Sequence, residues 1–358
     1  MAMRLAALPG DGIGPEVTDA ALRVLTVATS RFGASVELER YPVGWEGYRV
    51  AGAPLPPETE RAVGRADAVF LGAVGDPRAD ELPPALRPES GLLRLRKILD
   101  CYANLRPTLV LDPLVETSPL RAERIRGTDF LIVRELASGL YYGEPRGVNR
   151  DADDTEAVNT LRYRASEIRR VAHVAFEAAR ERDRRVVSVD KANVLEASRL
   201  WREVVADVGS AYPDIELEHM LVDRAAMELV LRPRAFDVIL TENLFGDILS
   251  DEAAGVAGSI GLLPSACLGP SAALYEPVHG SAPDIAGQGI ANPIAAILSV
   301  ALLFHYTAGR PEIGAAIESA VHEVLSSGMR PADLARPGER ASGTREITAS
   351  VCEALRAS

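Results

Sequence analysis

Cysteine and long apolar runs are scarce in this 358-residue chain, and each scarcity excludes a class of protein. The three cysteines, Cys101, Cys267 and Cys352, are odd in number and far apart, so they match neither a metal spacing nor a disulfide framework. No apolar run reaches the roughly 20 residues that span a bilayer, and the first residues lack the layout of a signal peptide. We therefore expect a cytoplasmic protein without a membrane partner.

Positive charge is also in deficit, because 51 acidic side chains face 39 basic ones and the formal net charge is −12. Binding nucleic acid requires a basic face, so we expect no nucleic-acid partner. An anionic small substrate is compatible with this charge if arginines are concentrated locally. The length allows two domains that share one extended core.

Lysine is the rarest charged residue: Lys97 and Lys191 account for two of the 39 basic residues, which leaves 37 arginines. Unlike arginine, lysine can lose its proton at a workable pH. Lys191 follows the apolar strand pattern of Val186–Val189 and precedes a helix predicted over about Val194–Val208. Ligands bind at the carboxyl ends of such strands. Lys191 is thus a candidate for proton transfer. The alternative is that Lys191 has no special role and occurs by chance in an arginine-rich composition.

Strand and helix patterns alternate along the chain, which predicts a largely parallel sheet covered by helices. Residues 137–165 are glycine-rich, charged and without helical period, so we expect an excursion that packs on a second chain. The predicted strands cover Arg4–Leu8, Val36–Tyr41, Ala68–Leu71, Phe130–Arg134, Val186–Val189, Ile215–Met220 and Phe236–Leu240. The predicted helices cover Pro15–Phe32, Gly91–Leu99 and much of the chain from about Pro293 onward.

A glycine cluster at Gly10, Gly12 and Gly14 lies between the first predicted strand and helix. A dinucleotide fingerprint needs the spacing Gly-x-Gly-x-x-Gly, and here the third glycine comes one residue early. Pro15 also removes an N–H that a phosphate cradle would use. As a signal for a Rossmann fold the cluster is therefore weak, and we reject it.

Asp247 and Asp251 follow a predicted strand and lie four residues apart, which places them on one helical face. Two carboxylates so placed repel each other unless a cation lies between them, and Mg²⁺ or Mn²⁺ prefers such oxygen ligands. The alternative is helix capping, with Asp247 as the N-cap.

Three arginines and one loop are candidates for ligand binding. Arg96, Arg106 and Arg134 could grip the carboxylates of a dicarboxylate bidentately, although any one of 37 arginines can instead be a solvated surface charge. The polar loop 276–287 is too long to be a turn. In it, His279 is a structural histidine or a ligand contact, and Asp284 is a turn residue or a carboxylate that accepts two ribose hydroxyl groups and repels a 2′-phosphate.

These motifs occur in order along nearly the whole chain, and together they are far more specific than any one of them. They are Leu8–Glu16, Asn104–Pro107, Val133–Leu136, Tyr141–Gly147, Val189–Asn193, Phe245–Asp251 and the His279 loop with Asn292 and Pro293. The set resembles the isocitrate/isopropylmalate dehydrogenase family of metal-dependent β-decarboxylating dehydrogenases. The resemblance implies the family's own two-domain α/β fold, which is not a Rossmann fold.

The resemblance also implies a domain division. Residues 1–101 and 258–358 would form a cofactor-binding domain built from both chain ends. Residues 102–257 would form the substrate, metal and dimerisation domain, with an arm at about 137–165. Members of the family are homodimers with shared active sites, in which the counterparts of Lys191 and Asp223 come from the neighbouring subunit.

The activity that the resemblance implies is oxidation of a 2-hydroxy acid by NAD, followed by loss of the β-carboxylate as CO₂. Lys191 would be the general base for the hydroxyl and Tyr141 would protonate the enol, while Mg²⁺ or Mn²⁺ polarises the hydroxyl and then the carbonyl. The implied metal ligands are Asp223, Asp247 and Asp251. The implied substrate-binding residues are Arg96, Arg106, Arg134, Asp223, Glu89, Leu92, Leu93 and Val194. The implied cofactor-binding residues are His279, Gly280, Ser281, Ala282, Asp284 and Asn292.

Within the family the C3 substituent distinguishes the substrates. Leu92 and Leu93 lie one turn before Arg96 and offer apolar surface for a branched alkyl group, worth about 1–3 kcal/mol of discrimination. We therefore expect (2R,3S)-3-isopropylmalate, converted to 4-methyl-2-oxopentanoate and CO₂ in leucine biosynthesis. The alternatives are homoisocitrate, isocitrate, tartrate or D-malate, or a 3-alkylmalate of secondary metabolism. A further alternative is a non-catalytic regulatory subunit. Such a subunit would be expected to lack the acid, base or metal ligands, whereas Lys191, Tyr141 and the three aspartates are all present here.

Two residues depart from the family pattern. Arg94 and Arg224 stand where relatives usually carry small residues, the first near Arg96 and the second directly after Asp223. Positions i and i+2 do not share a helical face, so we expect Arg94 to point away from the substrate.

Overall fold

The computed structural model describes residues 2–150 and 154–357, along which strands and helices alternate. The described strands are β1 (Met3–Gly10), β2 (Val36–Arg40), β3 (Ala68–Ala73), β4 (Ala103–Leu109), β5 (Asp129–Glu135), β6 (Gly147–Asn149), β7 (Glu156–Val158), β8 (Arg185–Asp190), β9 (Glu216–Leu221), β10 (Val238–Thr241), β11 (Pro264–Leu268) and β12 (Ala273–Pro277). The described α-helices are α1 (Gly14–Phe32), α2 (Gly44–Ala51), α3 (Pro57–Val63), α4 (Pro88–Ile98), α5 (Ala122–Ile125), α6 (Ala165–Arg180), α7 (Glu196–Gly209), α8 (Val222–Leu231), α9 (Asn243–Ala257), α10 (Ile294–Tyr306), α11 (Pro311–Ser326) and α12 (Thr344–Ala357). The predicted α/β class is confirmed.

The chain divides into two compact units, the first of which is built from both chain ends. The first unit consists of Met1–Cys101, Val110–Ala122 and Ala257–Ser358, and the second of Tyr102–Leu109 and Glu123–Val256. The predicted division differs from these units over 110–122 and at Ala257, all of which it assigned to the domain of residues 102–257. The physical reason lies in the packing of this segment, in which Leu114 and Val115 are buried and the Pro113 carbonyl accepts a hydrogen bond of 2.6 Å from Arg330 Nη2.

In the first unit the strand order is β2-β1-β3-β12-β11. β1 pairs in parallel with β2 and β3, and β12 with β3, while β11 and β12 are antiparallel. All six residues of β3 are buried, as expected for a parallel strand covered on both faces. Helix α1 has Pro15 in its first turn and ends at Gly33, whose left-handed φ of 64° favours glycine.

In the second unit the strand order is β4-β5-β10-β8-β9. β5, β10, β8 and β9 are parallel, whereas β4 is antiparallel to β5. Apolar side chains from these strands and from α8 and α9 form one core that includes Phe130, Val189, Met220 and Leu249. Because β5, β10 and β8 are parallel neighbours, their carboxyl ends lie at one edge, which is where the candidate site begins.

The predicted excursion at 137–165 contains a small antiparallel hairpin, in which β6 pairs with β7. All six residues of these two strands are exposed, including Val148 and Val158. Residues 151–153 of the predicted arm lie outside the described residues. Packing on a second chain stays a prediction. Within 2–150 and 154–357, no helix is both long and apolar enough to cross a membrane.

A buried acidic cluster anchors the segment that follows β5. Glu135, at the end of β5, is fully buried and accepts the backbone N–H groups of Ala137 (2.8 Å) and Ser138 (3.0 Å). Burial raises the pKa of Glu135 to about 7, although these two hydrogen bonds oppose the shift. The Tyr163 side chain also hydrogen-bonds this carboxyl.

Tyr163 connects this carboxyl to a second buried one. Its hydroxyl donates to Glu242 Oε2 (3.2 Å) and accepts the backbone N–H of Asn243 (3.0 Å). Burial raises the pKa of Glu242 as well, against the backbone N–H groups of Phe245 and Leu244 that it accepts. The cluster thus joins the end of β5 to the first turn of α9.

We predict that Glu135 makes stability depend on pH near neutrality. Because its pKa rises from 4.5 when unfolded to about 7 when folded, its contribution is complete below about pH 4.5 and is lost as pH rises through 7. In urea denaturation, the unfolding free energy of the parent minus that of Glu135→Gln should fall by up to about 3 kcal/mol between pH 4.5 and pH 8. The exposed Glu203→Gln is the control, and a pH-independent difference for Glu135→Gln would contradict the prediction.

Candidate active site

The candidate site begins at the carboxyl ends of β5, β10 and β8. Arg134 pairs in register with Thr241, and Thr241 pairs with Val189 on the other side. Lys191 follows Val189 by two residues and lies just beyond the end of β8. The parallel pairing therefore brings Arg134 and Lys191, which are far apart in sequence, to the same edge of the sheet.

Arg106 and Arg134 are buried cations on neighbouring strands, with 5% and 3% of their surface exposed. Arg134 Nε donates to the Asn243 carbonyl oxygen (2.9 Å) and its Nη2 to Asn243 Oδ1 (2.7 Å). Arg106 Nε donates to Asn104 Oδ1 (2.6 Å) and its Nη1 to Ser250 Oγ (2.5 Å). Neither arginine is the solvated surface charge that composition alone would allow.

The Asp247 carboxylate joins these cations to Tyr141. Oδ1 accepts from Arg134 Nη1 (2.6 Å) and lies 3.5 Å from Arg106 Nη1, while Oδ2 accepts the Tyr141 hydroxyl (2.7 Å). Helix α9 begins at Asn243, so Asp247 lies inside the helix and the alternative of an N-cap role is wrong. The neighbouring Glu242 carboxylate accepts the first-turn N–H groups instead.

Tyr141 is placed to hold and donate a proton. It ends the short 3₁₀ turn Gly139–Tyr141 and is partly buried. Burial raises its pKa, the hydrogen bond to Asp247 and the charge of Asp247 raise it further, and Arg134 opposes them. The hydroxyl is therefore protonated at neutral pH, as a general acid must be.

Asp251 lies one turn after Asp247 on α9. Partial desolvation raises the pKa of Asp251, Arg106 lowers it, the Asp247 charge raises it and Arg134 lowers it. A divalent cation between the two carboxylates would relieve their repulsion, and oxygen donors of this kind suit Mg²⁺ or Mn²⁺. The chemistry of the pair therefore fits a hard metal ion.

Lys191 and Asp223 form an ion pair within one chain, in which Lys191 Nζ lies 2.5 Å from Asp223 Oδ1. The hydrogen bond from Lys191 lowers the pKa of Asp223. The adjacent Arg224, which departs from the family pattern, pairs with Glu218 (3.2 Å) and Glu228 (3.8 Å). Arg224 is thus neutralised by carboxylates other than Asp223.

The three aspartates implied as metal ligands do not meet within one chain. Among residues 2–150 and 154–357, no three His, Cys, Asp or Glu side chains are grouped so that they could hold a metal ion. Asp247 and Asp251 lie on α9, whereas Asp223 lies at the start of α8 beside Lys191. Within these residues, the three implied ligands are therefore not grouped around one point.

In the first unit, α4 carries the predicted substrate residues. Arg96 Nη2 donates to Glu276 Oε1 on β12 (2.7 Å), and both side chains are largely buried. Arg94 is mostly exposed and bonds Glu60 on α3 (3.0 Å), so it points away from Arg96 as expected. Among the other substrate candidates, Leu92 and Leu93 are partly buried, Glu89 is exposed, and Val194 of the second unit is 63% exposed.

The His279 loop packs against the N-terminal glycine cluster. The Ile13 N–H donates to the Ser281 carbonyl oxygen (2.8 Å). A Cβ on Gly12, whose φ is +58°, would lie 1.9 Å from the same oxygen. The cluster therefore permits close approach of two loops, which agrees with the rejection of a phosphate cradle. Ser281 is buried, and Ala282 has a positive φ of 38°.

Two polar groups of this loop fit a bound cofactor. His279 Nε2 is buried and has no hydrogen-bond partner among the described residues, and burial lowers the pKa of His279, which keeps the ring neutral. Gly280 has no atom within 4 Å of the position a Cβ would take. The Asp284 side chain is exposed, and its backbone carbonyl oxygen accepts a hydrogen bond from Gln288 Nε2 (2.8 Å). By contrast, Asn292 binds Asp333 (3.0 Å) and the Ile294 N–H (3.0 Å), so it holds the start of α10.

Four contact residues were not among the sequence candidates. They are Glu276, which binds Arg96, Asn243, which binds Arg134, and Asn104 and Ser250, which both bind Arg106. Each of the four lies within or beside a motif that carried the resemblance. The motifs therefore marked the right segments, but pairing between distant segments could not be read from spacing.

Comparison with known proteins shows which family the chain is similar to. Residues 4–351 match the family model described as isocitrate/isopropylmalate dehydrogenase. The 3-isopropylmalate dehydrogenase of Halalkalibacterium halodurans is 54% identical over 361 residues, covering 100% of this chain and 99% of that protein. The enzyme of the same name from Aquifex aeolicus is 52% identical, with 98% and 97% covered.

Solved structures support the same fold. The isocitrate dehydrogenase of Methylococcus capsulatus superposes with a TM-score of 0.88 at 33% identity, covering 99% of both chains. A beta-decarboxylating dehydrogenase of Thermococcus kodakarensis gives a TM-score of 0.80 at 38% identity, covering 99% of this chain and 96% of that one. Both the family model and the solved structures therefore confirm the predicted fold. The chain belongs to the isocitrate/isopropylmalate dehydrogenase family of decarboxylating dehydrogenases.

Proposed function

We propose that this chain is an NAD-dependent, Mg²⁺- or Mn²⁺-dependent enzyme that oxidises and decarboxylates 3-isopropylmalate in leucine biosynthesis. The observation that carries the proposal is the constellation of Tyr141, Arg106 and Arg134 on Asp247, with the Lys191–Asp223 pair on the same unit. Full-length relatives that are about half identical bear the name of this activity.

Lys191 and Tyr141 divide the proton transfers. Lys191 is placed just beyond β8 and takes the proton of the substrate hydroxyl during oxidation. Tyr141 retains its proton beside Asp247 and delivers it to the carbon of the enol that decarboxylation leaves. The base and the acid belong to different segments of the chain, so the proton that Lys191 takes up is not the proton that Tyr141 delivers.

Arginines bind the carboxylates of the substrate. Arg106 and Arg134 are buried and held by their neighbours, so they offer positive charge at little reorganisation cost. On the first unit, we assign Arg96 to a carboxylate and Leu92 with Leu93 to the isopropyl group. Val194 and Glu89 are further assigned contacts.

The metal would be held by Asp247 and Asp251 of one chain together with Asp223 of a second copy. When bound, a divalent cation would supply Lewis acidity and a nicotinamide cofactor would supply the hydride acceptor. His279 and Asp284 are the residues that fit the cofactor, through an unpartnered ring nitrogen and an open carboxylate within the described chain.

A second copy of this chain is the proposed occupant of the exposed face of α8. Met227, Val230 and Leu231 are 52%, 38% and 42% exposed, and their i, i+3, i+4 spacing places them on one helical face. Asp223 begins the same helix, and its ligand set is incomplete within one chain. Apolar side chains presented together in this way are typical of an interface, so we propose a homodimer with shared sites.

The function is tested by reduction of NAD⁺ with Mg²⁺ on a panel of substituted malates. 3-Isopropylmalate should give the highest kcat/KM, ahead of isocitrate, homoisocitrate, tartrate and D-malate.

Lys191→Arg keeps the charge but cannot release the proton, so kcat should fall at least 100-fold. Lys97→Arg, the matched control at the other lysine, should change nothing. If the kcat of Lys191→Arg lies within tenfold of the parent value, a change in the activation barrier of about 1.4 kcal/mol or less, Lys191 is not the general base.

Cofactor choice should depend on Asp284. Its carboxylate accepts the ribose hydroxyl groups of NAD⁺ and would meet a 2′-phosphate with like charge. We expect NADH to bind more tightly than NADPH in fluorescence titration, and Asp284→Asn to reduce this preference at least tenfold. Glu353→Gln, which removes an exposed carboxylate elsewhere in the first unit, is the control. Equal affinity of the parent for both cofactors would show that Asp284 does not select.

Sharing of sites predicts complementation between inactive chains. A Lys191→Ala chain refolded with an Asp247→Ala chain should give heterodimers with one of two sites intact, as two-fold pairing requires. Lys191 and Asp223 pair within one chain, so Lys191→Ala mixed with Asp223→Ala should give no activity. No recovery in the first mixture, despite heterodimers verified by mass, would place each site within one chain.

A further inference from the structure

The segment that carries Lys191 is tied to helix α7. The Lys191 N–H donates to Ser198 Oγ (3.1 Å), and the Ala192 N–H donates to Asp190 Oδ1 (2.9 Å). Arg199 Nε donates to the Ala192 carbonyl oxygen (3.1 Å). The backbone at Lys191 and Ala192 is therefore held between the last residue of β8 and the first turns of α7.

Asp190 is the central anchor, and Arg202 on α7 neutralises it. Asp190 is 1% exposed, and its two carboxylate oxygens accept from Arg202 Nε and Nη2, both at 2.9 Å. This is a bidentate pair, the geometry in which a guanidinium fixes a carboxylate most firmly. Removing one partner of such a pair leaves an uncompensated buried charge.

The neighbouring His219 does not supply the compensating charge. It lies on β9, paired in register with Ser188 of β8. Burial lowers the pKa of His219, the Arg202 charge lowers it further, and Asp190 opposes them. His219 is therefore neutral at pH 7, and the positive charge at Asp190 comes from Arg202.

We propose that Arg202 is a positioning residue for Lys191. By occupying both oxygens of Asp190, Arg202 keeps that carboxylate turned towards α7 and available to the Ala192 N–H. Lys191 then directs its ammonium group to Asp223, 2.5 Å away. Without Arg202, the buried Asp190 charge would open the turn to water or attract the ammonium group one residue away, and either change displaces the base.

This inference rests on the proposed function, in which Lys191 is the general base. It assigns Arg202 no contact with substrate, metal or cofactor. The expected signature is therefore a loss in kcat without a matching change in KM, because substrate binding by the arginines is untouched. A residue that merely supports the fold would change stability and both kinetic constants together.

The test is a rescue experiment on the full-length enzyme. Arg202→Met should lower kcat at least 30-fold, with KM for 3-isopropylmalate changed less than threefold. Adding Asp190→Asn removes the unpaired charge while leaving an oxygen for the Ala192 N–H, so the double variant should recover kcat to within about fivefold of the parent. Arg202→Lys, which keeps the charge but not the fork, should lose about tenfold.

The matched control is the ion pair Arg169–Asp207, which joins α6 to α7 through exposed side chains (2.6 Å). Arg169→Met, Asp207→Asn and their combination should leave kcat and KM unchanged. If Arg202→Met fails to fold, Arg202→Lys and the double variant still test the inference. Arg202→Lys keeps a positive charge beside Asp190, and the double variant is neutral at both positions.

An Arg202→Met kcat within threefold of the parent overturns the inference. So does a double variant no better than Arg202→Met, or a fall in kcat accompanied by a proportional rise in KM. The proposed function fails by a different result, namely no turnover by the parent or full activity of Lys191→Arg. The two failures are therefore distinguishable in one assay.

Discussion

Two buried guanidinium groups, Arg106 and Arg134, impose the constraint on which the candidate site depends. Buried cations require acceptors on their donors, and α9 supplies them through Asn243, Asp247 and Ser250. The spacing of four and then three residues places these acceptors on one helical face. Compensation of the two arginines thus fixes where α9 begins and how it is rotated against β4 and β5.

The same constraint explains the glycine between Phe245 and Asp247. A Cβ on Gly246 would lie 2.6 Å from Arg134 Cγ and 2.8 Å from Thr241 Cγ2. Only a residue without a side chain lets the first turn of α9 approach Arg134 closely enough for the Asn243 and Asp247 hydrogen bonds. Arg134 donates a hydrogen bond to Asp247, and Asp247 accepts a second one from the Tyr141 hydroxyl. Packing, charge compensation and the position of the Tyr141 hydroxyl therefore follow from one close contact.

Local pattern predicted most of the second unit's parallel strands and the position of Lys191 beyond β8, because strand-then-helix alternation is a short-range signal. The i, i+2 rule likewise predicted that Arg94 turns away from Arg96. The antiparallel pairings of β4 with β5 and of β11 with β12 were not predicted, since partner choice depends on the whole sheet. The Glu276 contact to Arg96 spans 180 residues, and the Glu135–Tyr163–Glu242 cluster joins three distant segments. Neither leaves a periodic trace in the sequence.

The cationic side chains of this arginine-rich chain have two different roles. Arg202 and Arg134 use the several donors of the guanidinium to grip two or three acceptors each, and permanent charge suits that role. Lys191 makes one contact with Asp223 through a single compact ammonium group. A guanidinium at that position would match both Asp223 oxygens as a fork and could not release a proton. In the proposed mechanism, a lysine at this sheet-edge position therefore suits proton transfer, whereas a guanidinium would suit only a firm grip.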